Sequence, residues 1–155
     1  MMQLTEFLDF DAIKTSLPGG SKKVLLQQLA NLAAQRLDSG PQAILASLTE
    51  REQLGSTGFG HGVAIPHGKV DGLKTIYCMF ARLAEPLDYK AIDGRPVDLV
   101  FLLLSPPDAG AEHLKALAAI SRVTRHAATL EKMRGARSRD ALAAVLMGAD
   151  ERDAA

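Results

Sequence analysis

The apolar segment PVDLVFLLLS, residues 96–105, constrains the fold of this chain more than any other part of its sequence. It is of strand length and nearly continuous in apolar residues, a pattern typical of a strand buried on both faces of a sheet. Two further runs of strand length, GVAI at 62–65 and TIYCMFARL at 75–83, contain β-branched and aromatic residues. We therefore predict a sheet to which these three segments contribute strands.

Helices are predicted before and after these strands. Ser21 can cap a helix over 22–37, and Pro41 suits the first turn of a second helix over 41–54. Further helical patterns follow at 111–125, 128–135 and 139–148. Because an apolar sheet must be covered, this order of elements predicts an α/β sandwich.

The length and charge of the chain limit its organisation and its partners. A chain of 155 residues suffices for one compact domain, which we place at residues 1–150, with residues 151–155 as a frayed tail. The 18 Lys and Arg residues balance the 18 Asp and Glu residues, so the formal net charge is zero. Such a chain has no overall field to attract nucleic acid or an anionic membrane. We therefore expect partners that recognise local features of the surface, and no nucleic acid.

Two features of the sequence indicate the cellular compartment. No apolar run approaches the ~20 residues that cross a bilayer, and acids interrupt the amino-terminal segment MMQLTEFLDFDAI, unlike a secretion signal. Cys78 is the only cysteine, which excludes a disulfide within the chain, and its apolar surroundings predict a buried, unreactive thiol. We expect a soluble, cytoplasmic protein with no membrane insertion.

The glycine-rich segment GSTGFGHGVAIPHGK, residues 55–69, carries the candidate chemistry. It is not a P-loop, because Gly68 and Lys69 are followed by Val70 instead of a Ser or Thr that opens a helix. It is not a dinucleotide-binding fingerprint either, because that motif needs a strand before the glycines and a helix after them. What remains is a flexible loop that leads into a short strand and delivers His67.

The neighbours of His67 restrict its backbone and leave its ring accessible. Pro66 holds its own φ at about −65° and biases Ile65 to extended geometry, while Gly68 adds no side-chain bulk. We expect the imidazole to be exposed at a strand end, near backbone N–H groups that can meet an anion. A neutral imidazole is a good nucleophile near neutral pH, and a phosphoryl group is its natural electrophile. A histidine that only ends the strand is the alternative that the spacing leaves open.

The segment EQLGSTGFGHGVAIPHG, residues 52–68, resembles the active-site signature of IIA proteins of the bacterial phosphotransferase system, in the fructose and mannitol superfamily. TEREQLGSTGFGHGVAIPHGK looks most like the nitrogen-regulatory (IIA-Ntr) branch, and the resemblance continues through LVFLLLSPPDAGAEHLKALAAIS over most of the domain. It implies a single mixed β-sheet sandwiched by helices. It also implies that His67 receives a phosphoryl group from a histidine phosphocarrier protein, of HPr or NPr type, without a cofactor.

The resemblance assigns two further active-site residues beside His67. The family places an arginine before the signature glutamate and a second histidine at the start of a later helix, and Arg51 and His113 occupy those places. On a helical wheel, His113 falls beside Leu117 and Ile120, which points it toward the sheet. The structural alternative for Arg51 is a solvated arginine at a helix end. For His113 it is a half-buried histidine whose hydrogen bonds are satisfied within the fold.

Three further residues of the signature are candidates for phosphate binding. Ser56, Thr57 and the backbone of Gly68 are candidate donors to phosphate, and turn residues without a phosphate contact are the alternative for the two hydroxyls. Lys69 is expected to be a surface lysine whose side chain points away from the active histidine.

His61 raises a metal alternative, because His61, His67 and His113 together would supply three ligands and an open position. No further Cys or acidic residue shares their segments in a recognised spacing, so we predict no metal. In the family other residues, often polar, stand at this position. The second imidazole leaves open which histidine would be used if His67 were removed.

Three functions are compatible with these features. The first is a phosphocarrier that regulates proteins through its phosphorylation state, in potassium transport or nitrogen and carbon control as the resemblance implies. The second is a sugar-transport IIA component that passes the phosphoryl group from His67 to a cysteine of a separate IIB domain. The third is a binding module whose histidine is structural. The absence of a fused IIB or membrane domain in this chain favours the first. In the first two roles the chain turns over no small substrate of its own.

Overall fold

The centre of the fold is a six-stranded sheet. The computed structural model describes the backbone of residues 1–154 and the side chains of residues 1–151. In chain order the strands are β1 (Lys14–Leu17), β2 (Gly58–Gly60), β3 (Val63–Ala64), β4 (His67–Lys69), β5 (Tyr77–Leu87) and β6 (Val97–Ser105). The helices are α1 (Lys22–Leu37), α2 (Pro41–Gln53), α3 (Gly110–Thr124), α4 (Ala127–Gly135), α5 (Arg139–Met147) and α6 (Ala149–Ala154). Two 3₁₀ turns, Leu4–Glu6 and Phe10–Ala12, precede β1.

Strand β6 lies inside the sheet and organises it. It pairs antiparallel with β5 on one side and parallel with β3 and β4 on the other, while β1 and β2 form the outer strands. Strands β3 and β4 pair with the same edge of β6, one after the other along its length. Val63 of β3 lies opposite Leu99, and His67 of β4 lies opposite Leu103. Because parallel and antiparallel pairs occur in one sheet, the predicted single mixed sheet is confirmed.

The sheet carries a hydrophobic core on each face. Even-numbered residues of β6, from Val100 to Leu104, pack with α1 and α2, whereas odd-numbered residues, from Leu99 to Leu103, pack with the amino-terminal turns and with α3 to α6. Each fully buried leucine of this kind stabilises the fold by roughly 1.5–3 kcal/mol relative to its exposed state. The apolar run that predicted a strand buried on both faces is therefore confirmed, as is the α/β sandwich.

The long helices begin and end close to their predicted bounds. Ser21 caps α1, because its hydroxyl accepts a hydrogen bond of 3.2 Å from the N–H of Val24. The helix ends at Asp38, which takes a left-handed backbone conformation with φ of 53°. Pro41 is the first residue of α2. Proline is favoured there because the N–H that it lacks would have no partner within the helix.

The sequence patterns missed the short strands. Strands β1, β2 and β4 have three or four residues each, too few for a side-chain period to emerge. The prediction of a flexible loop before His67 is wrong in part, because Gly58–Gly60 pairs antiparallel with β3. Beyond Pro66 the chain also returns to strand geometry as β4.

The domain limits stay predictions. Helix α6 begins before the predicted tail, and the carboxylate of Asp150 accepts hydrogen bonds of 3.0 Å from the N–H groups of Leu4 and Thr5. Most of the predicted frayed tail lies outside the described residues, namely Ala155 and the side chains of residues 152–154. Among the residues that are described, no helix is long and apolar enough to cross a membrane. Cys78 is buried as expected, and burial raises the pKa of its thiol.

Candidate active site

His67 is the first residue of β4, immediately after a break in the strand. Pro66 offers no N–H to the sheet, but its carbonyl accepts a hydrogen bond of 3.0 Å from the N–H of Leu103. The paired backbone on either side holds His67 in place beside β6. Its side chain is half-buried, not fully exposed as predicted. It lines an open pocket of about 400 Å³ together with Ser47, Glu50, Arg51, Leu54, Gly68, Lys69 and His113.

The hydrogen bonds of the His67 ring define its tautomer. Nδ1 lies 2.7 Å from the carbonyl oxygen of Ile65, which can only accept, so Nδ1 carries the proton. Nε2 lies 3.2 Å from Nε of Arg51, which can only donate, so Nε2 presents its lone pair. The nitrogen that can act as a nucleophile is therefore Nε2.

The surroundings of His67 keep the ring neutral. Burial lowers the pKa of His67, and the positive charge of Arg51 lowers it further. The hydrogen bond to Ile65 and the charge of Glu52 act in the opposite direction, but the net shift is downward. The reactive, unprotonated imidazole is thus the form present at neutral pH.

Arg51 reaches the site from the last turn of α2. Besides its contact with His67, its Nη1 donates a hydrogen bond of 2.9 Å to the carbonyl of Gly55. Gly55 has a φ of 148°, a conformation that favours glycine. The guanidinium is therefore held at two of its nitrogens, Nε and Nη1.

His113 approaches His67 from the first turn of α3. The two ring centroids are 5.4 Å apart and the rings are inclined by 50°. Nδ1 of His113 lies 2.6 Å from Oγ of Ser105, at the end of β6. Burial, and then the charges of His67 and Lys69, lower the pKa of His113 from 6.5 to about 4. The fold thus brings together the three residues that the sequence singled out, from α2, β4 and α3.

Lys69 lies on the His67 side of β4, so the prediction that it points away is wrong. Side chains alternate along a strand, and residues 67 and 69 therefore share a face. Lys69 is exposed, lines the pocket and lowers the pKa of His113 by its charge. It adds a cation to the rim of the site.

Gly68 lies on the opposite face of β4, against α2. A Cβ at this position would contact the hydroxyl of Ser47 and would lie 3.1 Å from its Cβ and 3.3 Å from its backbone carbonyl carbon. The hydroxyl of Ser47 itself donates a hydrogen bond of 2.8 Å to the carbonyl of Lys69. The absence of a side chain therefore lets α2, which carries Arg51, pack directly on β4.

Ser56 and Thr57 have partners other than the pocket. The hydroxyl of Ser56 donates to the carbonyl of Tyr89 over 3.2 Å, and accepts the N–H of Gly58 over 3.1 Å. Thr57 is 5% exposed and donates through its N–H and its hydroxyl to Glu52. Their role in phosphate binding stays a prediction, and neither residue lines the pocket around His67.

Glu52 forms a buried hydrogen-bond cluster that the sequence patterns do not predict. Its side chain is 6% exposed and accepts hydrogen bonds from Nζ of Lys22 at 2.9 Å and from the hydroxyl of Tyr89 at 2.7 Å, in addition to those from Thr57. Burial acts to raise the pKa of Glu52, but these hydrogen bonds and the charge of Lys22 hold it below its ordinary value. Its place at the start of the signature was the available signal.

His61 lies apart from the other two histidines. It is exposed, its N–H donates a hydrogen bond of 3.0 Å to Asp93, and it does not line the pocket of His67. Within the part of the chain that the structure describes, no three His, Cys, Asp or Glu side chains are grouped to hold a metal ion. The three-histidine alternative therefore has no geometric support.

Comparisons with known proteins place this site in a family context. The model of the phosphoenolpyruvate-dependent sugar phosphotransferase system, EIIA 2, matches residues 6–148. A nitrogen regulatory protein of Bradyrhizobium diazoefficiens is 47% identical over 145 residues, which cover 94% of this chain and 95% of that protein. The crystal structure of the nitrogen regulatory protein IIA-Ntr from Neisseria meningitidis matches with a TM-score of 0.85 and 35% identity, over 91% of this chain and 97% of that one. The crystal structure of IIA mannitol from Escherichia coli matches with a TM-score of 0.75 over 89% of this chain and 97% of that one, and at 17% identity this likeness concerns the fold alone.

Proposed function

The chain belongs to the EIIA 2 family of the phosphoenolpyruvate-dependent sugar phosphotransferase system, and from this premise we propose that His67 accepts a phosphoryl group from a histidine phosphocarrier protein. The resemblance to the nitrogen-regulatory branch is confirmed by the relatives from Bradyrhizobium and Neisseria. A regulatory role in the phosphotransferase system follows from that similarity. The donor, the regulated proteins and a cytoplasmic location belong to the proposal.

The observation that carries the proposal is the unprotonated Nε2 of His67, in contact with Arg51 inside an open pocket. The lone pair of Nε2 forms the new N–P bond while the bond from phosphorus to the donor's imidazole nitrogen breaks. The electron pair of that bond returns to the donor. The ring of His67 keeps its Nδ1 proton and becomes cationic, and the carbonyl of Ile65 holds that proton by its hydrogen bond.

Cationic and polar groups around Nε2 would stabilise the negative charge of the phosphoryl group during its transfer. Phosphoryl transfer depends on positioning and on donors for the equatorial oxygens more than on covalent help. Arg51 offers a fixed guanidinium, Lys69 a second cation, and His113 an imidazole at 5.4 Å from His67. These groups would hold the phosphoryl oxygens without a metal.

The rim of the pocket suits a protein donor. Leu54, which lines the pocket, is 82% exposed. Large apolar side chains in water beside a reactive group are typical of a surface that a partner covers. A phosphocarrier protein could dock there and present its phosphohistidine to His67.

Phosphorylation would switch the partners of the protein by charge. A phosphoryl group adds about −1.5 to −2 charges at neutral pH, in a pocket whose rim is partly apolar. A partner that fits the neutral imidazole would then be repelled or would lose its fit. We place the regulated partners in potassium transport or in nitrogen and carbon control.

The test is phosphorylation in a reconstituted system. The protein is incubated with the general phosphotransferase enzyme, the histidine phosphocarrier and phosphoenolpyruvate, and an acid-labile, base-stable modification is measured by mass spectrometry. We expect label on the wild type and on His61→Ala, a matched control outside the pocket, and no label on His67→Ala. An unlabelled wild type would contradict the proposal. The remaining function would then be a binding module whose histidine is structural.

A sugar-transport IIA component is the second candidate. The family to which the chain belongs is that of a sugar phosphotransferase system, and the fold is shared with IIA mannitol. In this role the phosphoryl group would pass from His67 to a cysteine of a separate IIB domain. Transfer to purified IIB domains, with sugar uptake as the second readout, separates the candidates, because robust flux through His67 would defeat the regulatory assignment.

A further inference from the structure

Ser105 places a buried hydroxyl against the second histidine of the site. It ends β6 and is 0% exposed. Its Oγ lies 2.6 Å from Nδ1 of His113, and its carbonyl accepts a hydrogen bond of 2.9 Å from the N–H of Val70. Among the described residues, the hydroxyl makes no hydrogen bond other than the one with His113.

This single partner determines where the proton of the neutral His113 ring lies. If Nδ1 donated to Oγ, the hydroxyl proton of a fully buried serine would have no acceptor, which leaves the desolvation of that donor uncompensated. If the hydroxyl donates to Nδ1, both groups are satisfied. The second arrangement is favoured, and it puts the ring proton of His113 on Nε2.

We propose that Ser105 is a positioning residue for phosphoryl transfer, whose hydroxyl holds His113 in the tautomer that presents an Nε2–H donor to the pocket. This role rests on the proposed function of His67. The two histidines then have opposite tautomers, each set by a different partner. The carbonyl of Ile65 makes Nε2 of His67 a nucleophile, and the hydroxyl of Ser105 makes Nε2 of His113 a donor for the oxygens of the incoming group.

The tautomer is measured directly in the unmodified wild-type protein by ¹⁵N NMR of the histidine rings at neutral pH. We expect His113 to show a protonated Nε2 and an unprotonated Nδ1, and His67 to show the reverse. A protonated Nδ1 on His113 would overturn the proposal. This measurement needs no phosphoryl donor, so its result stands whether or not His67 is phosphorylated.

Ser105→Ala tests the consequence for transfer. We expect the variant to populate both tautomers of His113 and to be phosphorylated about tenfold more slowly, less than the 10²–10³ that loss of an entire preorganised donor costs. KM for the phosphocarrier should be unchanged, and Ser105→Thr, which keeps a hydroxyl, should recover the tautomer and most of the rate.

Thr124→Val is the matched control, because Thr124 is also buried, lies on α3 and bonds only backbone carbonyls. It should transfer at the wild-type rate. A Ser105→Ala protein that keeps both the Nε2–H tautomer and the wild-type rate would refute the role of Ser105. If the wild type is not labelled at all, the proposed function fails, and the ring measurement alone still decides the tautomer.

Discussion

Arg51 donates a hydrogen bond of 3.2 Å from its Nε to Nε2 of His67, linking the last turn of α2 to the first residue of β4. Because a guanidinium cannot accept a hydrogen bond, this contact marks Nε2 as the unprotonated nitrogen. It also places a permanent positive charge beside the atom at which a phosphoryl group would bind. The same charge opposes protonation of the ring.

Replacing Arg51 should change both the rate of phosphorylation and the titration of His67. Arg51→Ala removes a cation that lowers the pKa of His67, so we expect that pKa to rise. Loss of a preorganised donor should slow transfer by about 10²–10³-fold. NMR titration of the ring and the rate of phosphoryl incorporation measure the two effects. Arg95→Ala, at an exposed loop position, is the control, and an unchanged pKa in Arg51→Ala would contradict the assigned contact.

Glu52→Gln should destabilise the fold at neutral pH. The carboxylate accepts hydrogen bonds from Lys22, Thr57 and Tyr89, and an amide group cannot accept them all. We expect the free energy of unfolding to fall by about 1–3 kcal/mol, the cost of leaving a buried polar group unsatisfied. Urea denaturation measures this change.

The neighbouring Glu50 provides the control for Glu52, because Glu50→Gln removes the same charge from an exposed position. The pKa of Glu52 is held below its ordinary value, so its contribution is present above that value and is lost as the pH falls. The difference between wild type and Glu52→Gln should therefore shrink in acid. A constant difference at every pH would contradict this account.

Gly68→Ala should loosen the packing of α2 on β4. The added methyl group would meet the hydroxyl and Cβ of Ser47, at a cost of about 1–3 kcal/mol for overpacking. Phosphorylation should also slow, because Arg51 is carried by α2. Adding Ser47→Ala removes the nearest obstacle and should restore part of the stability. Gly135→Ala, where a methyl group meets nothing within 4 Å, serves as the control. Equal thermal stability of the two glycine variants would count against the close contact.

His113 should make the fold less stable in mild acid. Its pKa falls from the ordinary 6.5 to about 4 in the folded protein, so the unfolded chain takes up a proton that the folded state resists. The contribution is present above pH 6.5 and is lost as the pH falls toward about 4. His113→Gln should therefore lose less stability than the wild type over this range in urea denaturation. His61→Gln, at an exposed position, should follow the wild type, and parallel curves for His113→Gln and the wild type would exclude the shift.

The main elements of the fold could be predicted because their signals lie in contiguous stretches of sequence. The apolar run of β6 identifies a strand buried on both faces, and Ser21 and Pro41 mark the starts of α1 and α2. The short strands β1, β2 and β4 have no such signal, because each has only three or four residues. Strands β1 and β4 also form through pairing with the distant strands β5 and β6.

The sequence by itself determined the segments that become helices and long strands, and it predicted His67 as the reactive residue of the signature, with Arg51 and His113 beside it through family resemblance. The tertiary structure alone decided the hydrogen-bond partners of the ring nitrogens of His67 and His113, and that neither Ser56 nor Thr57 lines the pocket. It also decided that Ser105 contacts His113 and that Glu52 contacts Thr57. These properties depend on contacts such as Lys22 with Glu52, 30 residues apart, and Tyr89 with Glu52, 37 residues apart. Local sequence patterns report which face of an element is apolar, whereas the partner of a polar atom is set only when distant segments pack together.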